Sequence, residues 1–124
     1  MIGYTTIGTN DLERARAFYD AVLAPLGGRR TLSYQRSQYY GSPSRGAMLG
    51  ITLPFDGEPA TTGNGVMVAL SSPSPAEVDA VHAAAMAAGG VCEGPPGQRM
   101  DNFYGAYFRD LDGNKLCIFQ MSPG

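Results

Sequence analysis

Apolar positions in this chain keep two periods, and the switch between them marks the elements. From Met1 to Thr9 the run is short and rich in Thr, Ile and Tyr, as strands are. Leu12, Ala15, Tyr19, Val22 and Leu26 then recur at spacings of three and four, which predicts a helix with one apolar face. Asn10 with Glu13 reads as the capping box that starts it, and Gly27-Gly28 ends it. Strand-like runs follow near Arg30–Gln35, Ser37–Gly41 and Arg45–Leu53, and a polar stretch from Asp56 to Asn64 reads as a connecting loop.

The same order then recurs. Gly65 to Ser71 is an apolar strand, and Ser74-Pro75-Ala76-Glu77 is a second capping box with Pro at the first helical position. Val78, Val81, Ala85 and Ala88 form the helical stripe, which stops at Gly89-Gly90. Val91 to Glu93 reads as a short strand and Gly94–Gly97 as a loop. Phe103–Arg109 and Lys115–Met121 read as strands joined through Asp112-Gly113, a hairpin signal. The caps Asn10 and Ser74 and the Gly-Gly pairs at Gly27 and Gly89 fall at nearly the same offset. The expectation is an α+β domain of two βαβββ modules, about 1–55 and 63–122.

Composition narrows the partners. The chain has 124 residues, 44% of them hydrophobic, and a formal net charge of −2. Its arginines are scattered, so no basic stripe exists to neutralise a phosphate backbone, and no nucleic-acid partner is expected. No window approaches the length of a membrane span, and the first residues carry no basic and apolar leader pattern. A cytoplasmic protein with no membrane partner is expected. Cys92 and Cys117 lack metal-knuckle spacing and read as free thiols.

Three motifs, in order, carry a resemblance. They are Tyr4-Thr-Thr-Ile-Gly-Thr-Asn-Asp-Leu-Glu-Arg-Ala-Arg-Ala-Phe-Tyr-Asp-Ala-Val-Leu, Gly63-Asn-Gly-Val-Met-Val-Ala-Leu before the second capped helix, and Phe108-Arg-Asp-Leu-Asp-Gly-Asn-Lys-Leu-Cys. Together they resemble the vicinal oxygen chelate superfamily of glyoxalases, bleomycin resistance proteins and extradiol dioxygenases, over nearly the whole chain. The resemblance implies strands curved into a mixed sheet around a cavity, with helices outside. In metal-dependent members, His and Glu from both modules hold a divalent ion that polarises the substrate. At three of those positions this chain has Tyr4, Met67 and Cys117, and the stretch Met48–Ile51, where the fourth falls, has no Glu, Asp or His. The resemblance thus implies no metal and no other cofactor.

Strand alternation then assigns the inherited cavity to Tyr4, Thr6, Met67, Cys117 and Phe119. Tyr40 and Tyr104 add aromatics on the strands that edge it, as do Tyr39, Tyr107 and Phe103. Arg36 and Arg99 stand in or near its loops as partners for an anionic group. Such a lining suits an organic molecule better than an ion. The leading expectation is metal-independent binding of a small organic molecule by a homodimer, as in resistance proteins of the family. The alternatives are a metal-dependent lyase, isomerase or dioxygenase, and an interaction module whose pocket has closed. His82, the single histidine, reads as a helix-flank residue at the core edge.

Overall fold

A computed structural model describes residues 1–43 and 46–122. The first module is β1 (Tyr4–Gly8), α1 (Leu12–Leu23), β2 (Arg29–Ser33), β3 (Ser37–Gly41) and β4 (Met48–Thr52). The second is β5 (Val68–Ser71), α2 (Pro75–Ala87), β6 (Val91–Met100), β7 (Phe103–Arg109) and β8 (Lys115–Met121). Each module makes its own four-stranded mixed sheet, ordered β1-β4-β3-β2 and β5-β8-β7-β6. In both, the first strand pairs parallel with the last, because the helix carries the chain over the sheet and back. The duplicated order expected from the sequence is the observed one.

Several boundaries move. The first strand is shorter than Met1–Thr9, and the strand expected over Arg45–Leu53 starts at Met48, with Arg45 outside the described residues. The cap of α1 is Asp11, not Asn10: the Asp11 carboxylate accepts from the Arg14 amide at 3.0 Å. Asn10 is occupied elsewhere. Its amide group accepts from Ala60 N at 2.7 Å and donates to Ala60 O at 3.3 Å, which pins the loop between the modules. Gly8 lets that loop approach, since a Cβ there would stand 2.9 Å from Ala60 Cβ. Ser74 does cap α2, accepting from the Glu77 amide at 3.3 Å. Leu26, placed on the stripe of α1, falls in a short 3₁₀ turn, Ala24–Leu26, closed by Gly27 at φ 73°.

The largest difference is β6. The sequence divides it into a strand and a Pro/Gly loop, yet Val91–Met100 is one strand paired to β7, with register shifts on either side of Gly94 and beyond Gln98. Pro95 and Pro96 are tolerated because β6 is the edge of its sheet and bulges there.

One face of each sheet is packed under a helix. Ile7, Tyr40, Leu49 and Ile51 lie against α1, and Ala106, Phe108, Leu116 and Ile118 belong to the same core as Val78, Val81 and Ala85 of α2. The two helices pack on each other, and Phe18 of α1 reaches Phe108 of β7 with ring centroids 6.5 Å apart. The opposite face of each sheet is left outside this core. No helix among the described residues is long and apolar enough to cross a membrane.

Candidate ligand site

Alternation settles which side chains share those outer faces. On the first sheet, Tyr4, Thr6, Tyr39, Met48 and Gly50 share one side, as their register shows. Tyr4 is 59% exposed, and its ring meets Tyr39 edge-on at 5.4 Å. Tyr34 meets the same ring at 6.1 Å. Gly50 is what seats Tyr39: a Cβ at that position would stand 2.6 Å from Tyr39 Cε2.

The outer face of the second sheet is more varied. Register aligns Tyr107 with Cys117, Gly105 with Phe119 and Phe103 with Met121, so these point the same way. Phe103 and Phe119 stack with centroids 5.3 Å apart and planes at 6°. Gly105 makes that stack possible, because a Cβ there would come within 2.7 Å of Phe103 Cε1. Arg99 and Lys115 each lie 5.7 Å from the centre of the Tyr107 ring. Arg109 beside them pairs with Glu93 at 2.5 Å and donates to Gly113 O at 3.1 Å. That bond holds the Glu93 carboxyl below its usual range. A pocket of about 560 Å³ opens at this end, lined by Thr62–Met67, Arg109 and Lys115.

The structure thus separates the residues read from the sequence. Cys117 and Phe119 share a face of the second sheet with Tyr107, Arg99 lies over the Tyr107 ring, and Met67, one residue before β5, lines the pocket beside Lys115. Tyr4 and Thr6 lie on the first sheet, which shares no strand pairing with the second. Tyr40 and Tyr104 face the other way, towards the helices. Tyr40 is buried and donates to Asp20 Oδ1 at 2.9 Å and to Arg16 O at 3.1 Å. Tyr104 donates to Asp79 of α2 at 2.7 Å. The reason is parity: Tyr39 and Tyr40 are adjacent, so only one can face outwards, and Tyr104 is out of phase with Phe103 and Tyr107. Arg36 sits in the β2–β3 turn and donates to Pro54 O at 2.7 Å. A second cavity, about 800 Å³, lies on the helix side of the sheets and is lined by Tyr40, Leu49, Leu70 and Glu77 among others.

Sequence reading missed Lys115 and Arg109, which strand alternation from Cys117 and Tyr107 places on the same face. It also missed the contact between His82 and Cys92, where Nε2 lies 3.2 Å from Sγ. His82 is buried at the core edge, as expected, and burial lowers its pKa.

The donor set does not fit a divalent metal. Tyr4 offers a phenol, Met67 a thioether and Cys117 a thiol, whereas hard ions want several oxygens and Zn²⁺ wants imidazole, carboxylate or thiolate. Cys117 is 1% exposed, and burial pushes its pKa up, against the smaller opposing pulls of Tyr107, Arg99 and Lys115. Among the described residues, no group of three or more His, Cys, Asp or Glu is placed to hold a metal ion.

Residues 1–118 match the profile of the Glyoxalase/Bleomycin resistance protein/Dioxygenase superfamily. The chain belongs to that superfamily. Solved structures agree with it. A glyoxalase/bleomycin resistance protein from Albidiferax ferrireducens is 44% identical, with a TM-score of 0.90 over 98% of this chain and 99% of that one. A glyoxalase/bleomycin resistance protein/dioxygenase family enzyme from Burkholderia phytofirmans shares the fold at 20% identity, with a TM-score of 0.75 over 97% of this chain and 98% of that one. So does a lactoylglutathione lyase from Agrobacterium tumefaciens, at 23% identity and a TM-score of 0.70, covering 97% and 92%. Among curated proteins none matches.

Proposed function

We propose that this member of the superfamily binds a small organic molecule without a metal, on the outer face of its second sheet. The observation that carries the reading is the stacked pair Phe103–Phe119 on the same sheet face as the buried thiol Cys117. Parallel rings on a sheet face offer a flat apolar surface, and Met67 and the adjoining pocket extend it. The donor set described above supports binding rather than Lewis-acid chemistry.

The site is completed by a second copy of the chain. Tyr4, Leu32 and Tyr34 on the first sheet and Met67 and Met121 on the second are exposed large apolar side chains on or beside the uncovered faces. Pairing the two faces across a two-fold axis covers both at once and yields two equivalent sites.

A fluorescence titration with naphthalenemethanol on chelator-treated protein tests the reading. Saturable binding that Phe119→Ala weakens by about tenfold, equivalent to the ~1.4 kcal/mol of a modest aromatic contact, supports it. Binding that appears only with an added divalent ion, or that Phe119→Ala leaves unchanged, contradicts it.

A further inference from the structure

We propose that the outer face of the second sheet selects planar anions, an aromatic carboxylate being the ligand chemistry it fits. This rests on the reading of that face as a ligand site and adds the charge of the ligand to it. Three cations, Arg99, Arg109 and Lys115, border one patch in a chain whose net charge is −2, so the cluster does not follow from composition. Glu93 is the carboxylate that meets them, and it is bonded to Arg109. Among the described residues, no carboxylate lies within ion-pair distance of Arg99 or Lys115. Arg99 comes from β6 and Lys115 from β8, on either side of β7, so the two cations flank the Tyr107 ring and their fields add over that face, where an anion would meet both.

The backbone is shaped to hold this arrangement. A Cβ on Gly97 would stand 2.7 Å from Arg99 Nη1, and one on Gly94 would stand 3.0 Å from the Tyr107 ring and 3.3 Å from Arg99 Nη2. The two glycines of the bulged edge strand thus clear the space that the guanidinium occupies over Tyr107. Arg99 also donates to Pro95 O, a contact that fixes its reach. A seated guanidinium loses little side-chain freedom when it meets a carboxylate. The Phe103–Phe119 stack lies on the same face and takes the apolar body, so charge and plane are recognised together.

The test is a charge series on one aromatic frame. Naphthoate, naphthalenemethanol and naphthylmethylammonium are titrated into the full chain at low salt, and again at raised salt. The expected result is that naphthoate binds at least about tenfold tighter than the neutral probe. That advantage, read as the ratio of naphthoate to naphthalenemethanol affinity, should shrink with salt and fall in both Lys115→Met and Arg99→Met. Equal binding of anion and neutral probe overturns the charge selection and leaves the organic-ligand reading standing. An anion advantage untouched by either substitution also overturns it. If none of the three probes binds, both readings fall together.

Discussion

The phenol of Tyr19, in the middle of α1, donates to the carboxylate of Asp110 at the end of β7, at 2.5 Å. The bond crosses from the first module to the second and is buried at both ends. The same carboxylate organises the hairpin that follows: its other oxygen accepts from the amides of Asp112 and Asn114, each at 2.9 Å. Asp112 in turn accepts from the Thr9 hydroxyl at 2.6 Å and from Arg14 at 3.1 Å, and Asn114 donates to Gly8 O at 2.8 Å. The Asp-Leu-Asp-Gly-Asn segment therefore joins the two modules as well as turning the chain.

Tyr19→Phe should lower stability by about 2 kcal/mol, the range for a hydrogen bond to a charged group. Asp110→Ala should cost more, because it strands the Tyr19 hydroxyl and two amides at once. Urea denaturation of the two variants checks both, and near-original stability for Asp110→Ala would remove the clamp from the account.

Alkaline pH should act on the same contact. Burial, with Asp110 beside it, raises the Tyr19 pKa well above 10.0, and burial, with Asp20 beside it, raises that of Tyr40. Groups whose folded pKa is raised hold their protons more tightly in the native state. Their contribution is fully present below the unfolded value, and stability falls as pH climbs above about 10. Melting curves taken across that range should show a decline that Tyr19→Phe makes shallower. A parallel decline in the variant would assign it to other groups.

Thiol reactivity should separate the cysteines sharply. Cys92 is exposed on the edge strand, and Cys117 is buried with a raised pKa. A small alkylating reagent at neutral pH should therefore modify Cys92 first, with Cys117 slower by orders of magnitude. Mass spectrometry of the labelled peptides reads the order directly. Rapid labelling of Cys117 would mean that the strand opens far more than its packing implies.

These contacts show how far the sequence could be read. The duplicated strand–helix–strands order, both helices and the closing hairpin were legible, because periodicity, caps and glycine pairs are local signals. The choice of Asp11 over Asn10 as cap was not, since it depends on Ala60, fifty positions away, drawing Asn10 off. Nor was β6, where Gly94 and Gly97 carry the turn chemistry of a loop but serve to admit the Tyr107 ring and the Arg99 guanidinium. On the second sheet, alternation puts Cys117 and Phe119 on one face, as the register has them. It also held the information that Tyr40 and Tyr104 face the helices. The partners that draw their hydroxyls there, Asp20 and Asp79, lie on other elements and show only in three dimensions.

The proposed pairing of the uncovered faces predicts a dimer. Sedimentation velocity at micromolar concentration should show a dimer, and replacing Tyr4 and Tyr34 together by Ser should shift it towards monomer. A monomer for the original chain at that concentration would leave each site to be built from one copy alone.

The most direct test of metal-independent binding is amide chemical-shift mapping of naphthoate on protein stripped by a chelator, with residual metal measured by elemental analysis. The account predicts saturable shifts centred on Phe103–Tyr107 and Lys115–Phe119 in protein that holds no divalent ion. Shifts confined to the helix-side cavity around Leu49 and Leu70, or shifts that require one bound divalent ion per chain, would contradict it.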